Sequence, residues 1–141
     1  PATIQRNWLA QANKVAALLN KPGVQVLNAR PDDFFEGLSW HPAASKPGTI
    51  ARALAFDNER WFRSGGPLLE SPERLQSLVQ ENKLDQAEIT ISFCNTGHWA
   101  ATNWFVLSEI AGKQNVKLYP ESLVEWSTAN LPMDNVPHRL E

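Results

Sequence analysis

The sequence predicts an α/β fold with a mostly parallel central sheet. The first observation is that short apolar runs typical of strands alternate along the chain with segments of helical periodicity. The second is that 141 residues, 43% of them hydrophobic, suit one domain with a sizeable core. The third is that the sequence shows no internal repeat and no low-complexity segment. A single layered domain built around one sheet is therefore expected.

The N-terminal half is predicted to contain one long helix, two strands and a long loop. Apolar side chains recur at spacings of three and four over residues 4–19, which predicts an amphipathic helix that ends at a Pro-Gly pair. The apolar run at 24–29 predicts a strand. Residues 30–50 hold three prolines and two glycines, which predicts a loop with at most a short helix near 33–36. A second strand is predicted at 51–56.

The C-terminal half has clearer helix and strand signals. Ser71 is a good helix N-cap and Pro72 fits the first helical position, so a helix is predicted at 71–83. The β-branched run at 87–93 predicts a strand, and residues 99–111 have the periodicity of a helix. The remaining predicted elements are a strand at 115–119, a short helix at 122–129 and an irregular tail at 130–141.

The charge and hydropathy of the chain argue against two classes of partner. The net charge is -2 and the pI about 5.9, so a broad basic surface for nucleic acid is not expected. No apolar run approaches the roughly 20 residues that a membrane helix needs, and the N-terminus lacks the pattern of a secretory signal. We therefore expect no membrane partner and a cytoplasmic location, or a periplasmic one if an N-terminal part has been removed.

The single cysteine, Cys94, occupies the place where such a fold does its chemistry. It ends the predicted strand at 87–93 and precedes a short polar loop and a helix. In parallel sheets ligands bind at the carboxyl ends of strands, and the following loop and helix offer free backbone N–H groups that favour a thiolate. Gly97 lets this loop bend toward a ligand. A packed core cysteine is the alternative, and the position favours a reactive one.

Other cysteine chemistries fit the sequence less well. Cysteine-dependent phosphatases need an arginine six positions after the cysteine, where this chain has Ala100. A C-x-x-C pair for disulfide exchange is absent. A cysteine–histidine pair is conceivable with any of the three histidines, whereas zinc held by Cys94 and His98 would lack two further ligands. The three histidines are His41, His98 and His138.

Five segments, taken in order, follow the pattern of a known enzyme family. Cys94 begins the segment "CNTGHWAA" after an apolar strand, and "NVKLYPESLVEW" follows at 115–126. Upstream of Cys94, the other segments are "VQVLNARPDDFFEG" (24–37), "KPGTIARAL" (46–54) and "LLESPERLQSLVQEN" (68–82). Together they resemble the rhodanese-type sulfurtransferases, in which the first segment is the active-site region. The resemblance covers residues 22–127 and looks most like the catalytic C-terminal domain of tandem-domain rhodaneses.

The resemblance implies a fold and a domain organisation. It implies a rhodanese-like three-layer α/β fold with a central, mostly parallel five-stranded sheet flanked by helices. Residues 1–141 would then be one domain, with an N-terminal helix in 1–21, a core at about 22–127 and a tail at 130–141. Such a chain would be one half of a longer tandem protein, whose second rhodanese domain would be a partner.

The resemblance also implies an activity. Cys94 would be the catalytic nucleophile that carries a persulfide, and Asn95, Thr96, Gly97, His98 and Trp99 would form the substrate-binding loop. The donor would be thiosulfate or a persulfide, the acceptor cyanide or a thiol, and neither a metal nor an organic cofactor is implied. A catalytically weak binding or regulatory module is the alternative, although such modules commonly lack the cysteine.

Six positions, in four places along the chain, depart from the family pattern. Asn28 stands where aspartate is common beside Arg30, so Arg30 is either a structural hydrogen-bond donor or a supporting substrate contact. His98 and Trp99 stand where arginine or lysine is common, which favours a neutral or organic donor over thiosulfate. Arg52 replaces a glycine and is expected to be solvated. In addition, Pro120-Glu121 replaces Asp-Gly, which predicts only a local change.

The remaining residues considered for the site are the tryptophans and a short acidic cluster. Of the six tryptophans, Trp40 is a candidate for the border of the pocket. Asp32, Asp33 and Glu36 look like the solvated start of a short helix. The tryptophans expected in the core are Trp8, Trp104 and Trp126.

Overall fold

The computed structural model describes residues 7–64 and 66–138, in which helices and strands alternate as predicted. In chain order the elements are α1 (Ala12–Leu18), β1 (Val24–Asn28), α2 (Asp32–Phe35), β2 (Thr49–Ile50), β3 (Leu54–Ala55), α3 (Pro72–Glu81), β4 (Ile89–Phe93), α4 (His98–Phe105), β5 (Val116–Leu118), α5 (Ser122–Thr128) and β6 (Met133–Asp134). A 3₁₀ turn at Asn58–Trp61 and a π-helical turn at Val106–Ile110 complete the set.

The central sheet is parallel throughout, which confirms the predicted α/β class. Its strand order is β3-β1-β4-β5. In the register of the two middle strands, Asn28 of β1 lies opposite Phe93 of β4. The segments that follow these strands therefore leave the same edge of the sheet side by side, and Cys94 follows β4 there.

The family resemblance implied five strands, whereas the central sheet has four among the described residues. The outer edge of β5 is covered instead by an extended stretch, in which the Ala10 amide donates to the Leu118 carbonyl at 2.8 Å. The predicted helix at 4–19 is accordingly wrong at residues 7–11, and α1 begins at Ala12. Open strand edges carry unpaired N–H and C=O groups, and pairing with them outweighs a weak helical preference. Residues 1–6 of that prediction lie outside the described residues.

The predicted strand at 51–56 is interrupted by a turn. Arg52 has φ +67 and the Ala53 amide donates to the Ile50 carbonyl, so β3 begins only at Leu54. The Arg52 side chain is exposed, as expected, while its amide donates to the Asp134 carboxylate at 2.8 Å. The tail is also more ordered than predicted, because β6 pairs antiparallel with β2.

The helix signals in the C-terminal half of the sequence were accurate. Ser71 caps α3 by accepting a hydrogen bond from the Arg74 amide at 3.2 Å, as a serine before a first-turn proline predicts. The helix predicted at 99–111 begins at His98 and widens into the π-helical turn, which keeps Val106 and Leu107 buried. Within residues 7–64 and 66–138, no helix has both the length and the apolarity to cross a membrane.

Helices cover both faces of the sheet and make three layers. Neighbouring side chains of β1 point to opposite faces, so Val26 packs with α1 and α5 while Leu27 packs with α3 and the π-helical turn. Of the tryptophans expected in the core, Trp126 is fully buried, and Trp8 and Trp104 are half-buried with ring centroids 4.9 Å apart. A fully buried tryptophan that the pattern did not single out, Trp61, fills the α3 side.

Candidate active site

Cys94 lies at the carboxyl end of β4, where the sequence placed it. The side chain is buried, with 1% of its surface exposed. The amide of Gly97 donates a hydrogen bond to the Cys94 Sγ at 3.0 Å. The next helix, α4, begins immediately afterwards at His98, so the positive end of its dipole also faces this loop. Both features favour negative charge on the sulfur.

Glycine is required at position 97 for two reasons. Its φ of +102 is a conformation that other residues rarely adopt. A Cβ placed there would also lie 2.8 Å from the carbonyl oxygen of Pro120. The loop therefore packs directly against the turn between β5 and α5, and only a residue without a side chain fits at position 97.

Ser122, which the sequence reasoning did not select, fixes the backbone of the nucleophile. Its buried Oγ accepts a hydrogen bond from the Cys94 amide at 2.9 Å and donates to the Tyr119 carbonyl at 2.9 Å. The Leu123 amide donates to the Cys94 carbonyl at 3.0 Å. Ser122 itself has φ +56. The signal that could have found it is its place after β5, because β4 and β5 are adjacent and their ends meet at one edge.

Arg30 is fully buried and joins the loop to the end of β1. Its Nε donates to Asn28 Oδ1 at 2.6 Å, and its Nη2 donates to the Gly48 carbonyl at 2.6 Å. The third bond runs from Nη1 to Asn95 Oδ1 at 3.3 Å. The side chain is thus a hydrogen-bond donor inside the protein, which agrees with the structural reading of this residue. All three acceptors are electrically neutral.

Burial dominates the electrostatics of Arg30. Burial lowers the pKa of Arg30 to about 10, and the negative charge of the Cys94 thiolate, followed by that of Asp33, acts in the opposite direction. The guanidinium Cζ also lies 5.9 Å from the centroid of the Phe34 ring. Arg30 therefore sits between the loop and α2 and interacts with both.

The rim of the site is aromatic. Trp99, which is 36% exposed, meets the Phe34 ring edge to face with centroids 6.1 Å apart. His98 and Thr96 are exposed on the same loop. Trp40 is 44% exposed, and among the described residues it forms no hydrogen bond or ring contact with the loop. A role for Trp40 at the border of the pocket therefore stays a prediction.

The histidine and metal alternatives find little support in the geometry. His41 Nδ1 accepts a hydrogen bond from the Ala43 amide at 3.1 Å, within its own turn. His98 is exposed while the sulfur is buried. Across the part of the chain that the structure describes, no three side chains of the His, Cys, Asp or Glu type lie close enough to share a metal ion.

An open groove of about 490 Å³ runs beside the loop. It separates Thr96 from one face of α5, and apolar surface predominates in its lining. The lining residues are Thr96, Pro120, Glu121, Val124, Glu125, Thr128 and Ala129. The groove therefore places a wide, mostly apolar surface beside the loop that follows the buried Cys94.

Comparison with known proteins places the chain in a protein family. Residues 11–129 match the rhodanese-like domain. The chain is 32% identical over 124 residues to a Mycobacterium tuberculosis protein named "Putative thiosulfate sulfurtransferase", covering 82% of the chain and 43% of that protein. It is also 32% identical over 103 residues to the 3-mercaptopyruvate sulfurtransferase of Rattus norvegicus, covering 72% of the chain and 34% of that enzyme.

A solved structure shares the fold. The Tum1 protein from Saccharomyces cerevisiae superposes with a TM-score of 0.77 at 19% identity, over 96% of this chain and 49% of the Tum1 chain. The chain therefore spans about half the length, or less, of the relatives that it matches.

Proposed function

The chain belongs to the rhodanese-like domain family, and from this membership we propose that it is a sulfurtransferase that carries sulfur as a persulfide on Cys94. Relatives named as sulfurtransferases at 32% identity support the general role. The observation that carries the proposal is the hydrogen bond of 3.0 Å from the Gly97 amide to Sγ. A donor held rigidly against sulfur stabilises its anionic form, which is the nucleophile.

The first half of the reaction loads the cysteine. The Cys94 thiolate attacks the outer sulfur of thiosulfate, so that a new S–S bond forms and the S–S bond of the donor breaks. The electron pair of that bond leaves with sulfite. A persulfide donor reacts in the same way and releases a thiolate, and neither donor needs an external oxidant.

The second half returns the enzyme to its starting state. Cyanide or a thiolate attacks the outer sulfur of the Cys94 persulfide and bonds to it. The bond to Sγ breaks, and its electron pair restores the thiolate. One cysteine is sufficient for this ping-pong cycle, and the chain has only one.

The residues around Cys94 have different roles in this proposal. The Gly97 amide stabilises the thiolate, and the Ser122 hydroxyl holds the Cys94 peptide in place so that the loop keeps its shape. His98 and Trp99 form the approach to the sulfur. Because Trp99 and Phe34 are apolar, we propose that the site accepts a neutral or organic persulfide better than thiosulfate.

Intact-mass measurement tests the persulfide directly. After incubation with thiosulfate, a fraction of the protein gains one sulfur, about 32 Da, and cyanide removes it. The Cys94→Ser variant gains nothing and serves as the control. Parallel incubations with 3-mercaptopyruvate and with an organic persulfide rank the donors.

The absence of sulfur uptake would contradict the proposal. If the wild-type protein takes up no sulfur from any of these donors while it is folded, then sulfur transfer is excluded as its reaction. That result would favour the rhodanese-like binding or regulatory module, in which the loop has a purely structural role.

A further inference from the structure

Among the residues that the structure describes, the buried guanidinium of Arg30 forms no ion pair with a carboxylate. Its three hydrogen-bond acceptors are the Asn28 amide, the Gly48 carbonyl and the Asn95 amide, which carry no net charge. Within residues 7–64 and 66–138, no carboxylate lies within ion-pair distance of Arg30. A buried charge without a counter-charge is costly, so a nearby anion would stabilise the arrangement.

One candidate anion is the thiolate of Cys94. The guanidinium contacts the residues on both sides of Cys94: its Cζ lies 5.7 Å from the Phe93 ring centroid, and Nη1 reaches Asn95 Oδ1 at 3.3 Å. The Ala29 amide donates to the Phe93 carbonyl at 2.9 Å, which holds the two chain segments together. Both side chains are buried, so solvent screens an attraction between them only weakly.

We propose that Arg30 is the counter-cation of the Cys94 thiolate, and that the neutral Asn28 leaves the charge of Arg30 free for this purpose. Arg30 acts as a positioning residue, because it reaches the loop through Asn95 and the sulfur through its field. The same charge would stabilise the thiolate that re-forms after each sulfur transfer, and this part rests on the proposed function.

Other charged groups around the loop are more exposed or already engaged. Solvent screens the charges of the exposed groups. Others form local hydrogen bonds, such as the one from the Tyr119 hydroxyl to Glu125 at 2.7 Å. Arg30 is the buried cation among them. The other titratable side chains on the surrounding elements are those of Asp32, Asp33, His98, Lys117, Tyr119, Glu121 and Glu125.

The test is the Asn28→Asp variant, which has the same shape and places a carboxylate against Arg30 Nε. The readout is the rate of alkylation by iodoacetamide as a function of pH, which reports the single cysteine and needs no sulfur transfer. We expect the midpoint of the profile to rise by about one pH unit, and the rate at pH 7 to fall about tenfold. Circular dichroism confirms that the variant is folded.

The chain offers a matched control in Asn82→Asp. Asn82 also accepts a hydrogen bond from an arginine, Arg60, at 3.2 Å, but it lies at the exposed end of α3. This variant adds the same charge beside the same kind of partner, and it should leave the alkylation profile unchanged.

A second pair of variants separates charge from shape. Arg30→Lys and Arg30→Gln both lose the planar fork, but only the lysine keeps the positive charge. We expect Arg30→Lys to titrate near the wild type and Arg30→Gln to shift upward. An unchanged profile in Asn28→Asp, or equal profiles in the two Arg30 variants, would overturn the proposal. Either result would leave the persulfide of the wild-type protein, measured by mass, unaffected.

Discussion

Replacing Gly97 with alanine perturbs the loop at the point where it holds the sulfur. The new Cβ would lie 2.8 Å from the Pro120 carbonyl oxygen, closer than real Cβ atoms approach backbone. Alanine would also have to adopt the φ of +102. Either the loop or the turn at Pro120 must move, and the Gly97 amide then loses its position against the Cys94 Sγ.

The size of the effect follows from these two distortions. Forcing alanine into this backbone conformation costs about 1–3 kcal/mol, and relieving the close contact costs about 1–3 kcal/mol more. The free energy of unfolding should therefore fall by about 2–6 kcal/mol. Removing one positioned donor from an anion site typically slows a reaction by about 100-fold or more, so the rate of sulfur transfer should fall by that factor.

Urea unfolding followed by tryptophan fluorescence measures the stability, and thiocyanate formed from thiosulfate and cyanide measures the rate. Gly112→Ala is the matched control, because Gly112 has φ +71 but a Cβ added to it would meet nothing within 4 Å. Its loss should be about 1–2 kcal/mol, with the rate unchanged. Equal losses in both variants, or a Gly97→Ala rate within about twofold of wild type, would refute the reasoning.

Three further outcomes are expected. Ser122→Ala leaves the buried Cys94 amide without an acceptor and should lower the free energy of unfolding by about 1–3 kcal/mol in urea titrations. His98→Ala should reduce kcat/KM for thiosulfate, measured at pH 6 and at pH 8, because the variant removes an exposed hydrogen-bond donor from the approach to the sulfur. Burial and the Glu125 carboxylate raise the pKa of Tyr119 well above its usual range, so ultraviolet titration of this only tyrosine should show no tyrosinate near pH 10 until urea unfolds the protein.

Each of these outcomes has a control or a contrary result. Ser77→Ala removes an exposed hydroxyl that donates to the Glu73 carbonyl and should change stability by less than about 0.5 kcal/mol. Unchanged thiosulfate kinetics of His98→Ala at both pH values would rule out a role for that side chain. For Tyr119, the folded pKa exceeds the unfolded one, so its contribution to stability is lost as pH rises above about 10. Native-state titration near pH 10 would contradict the burial of its hydroxyl.

Local sequence signals predicted most of the elements. The serine–proline start of α3, the β-branched run of β4 and the glycine that lets the loop bend after Cys94 each act through one or a few consecutive residues. Periodicity and turn chemistry therefore sufficed to place the cysteine at the end of a strand and before a helix.

The predictions that were wrong concern segments that pair with distant parts of the chain. Residues 7–11 have a helical pattern, yet they pair with the edge of β5, more than 100 positions away. The turn at Arg52 is held by Asp134 from the tail. Neither partner can be read from the neighbouring sequence, because backbone pairing of this kind depends on which segments the sheet brings together.

The sequence by itself determined the fold class, the order of the elements and the place of the one thiol sulfur atom, at the end of a strand. These follow from periodicity, turn residues and a single cysteine, all of which are local properties. Only the tertiary structure decided what surrounds that atom. Ser122 lies 28 positions after Cys94 and Asn95 lies 65 positions after Arg30. They meet because β1, β4 and β5 are neighbours in the sheet and end at one edge, where Arg30 and Ser122 both form hydrogen bonds with the segment that contains Cys94.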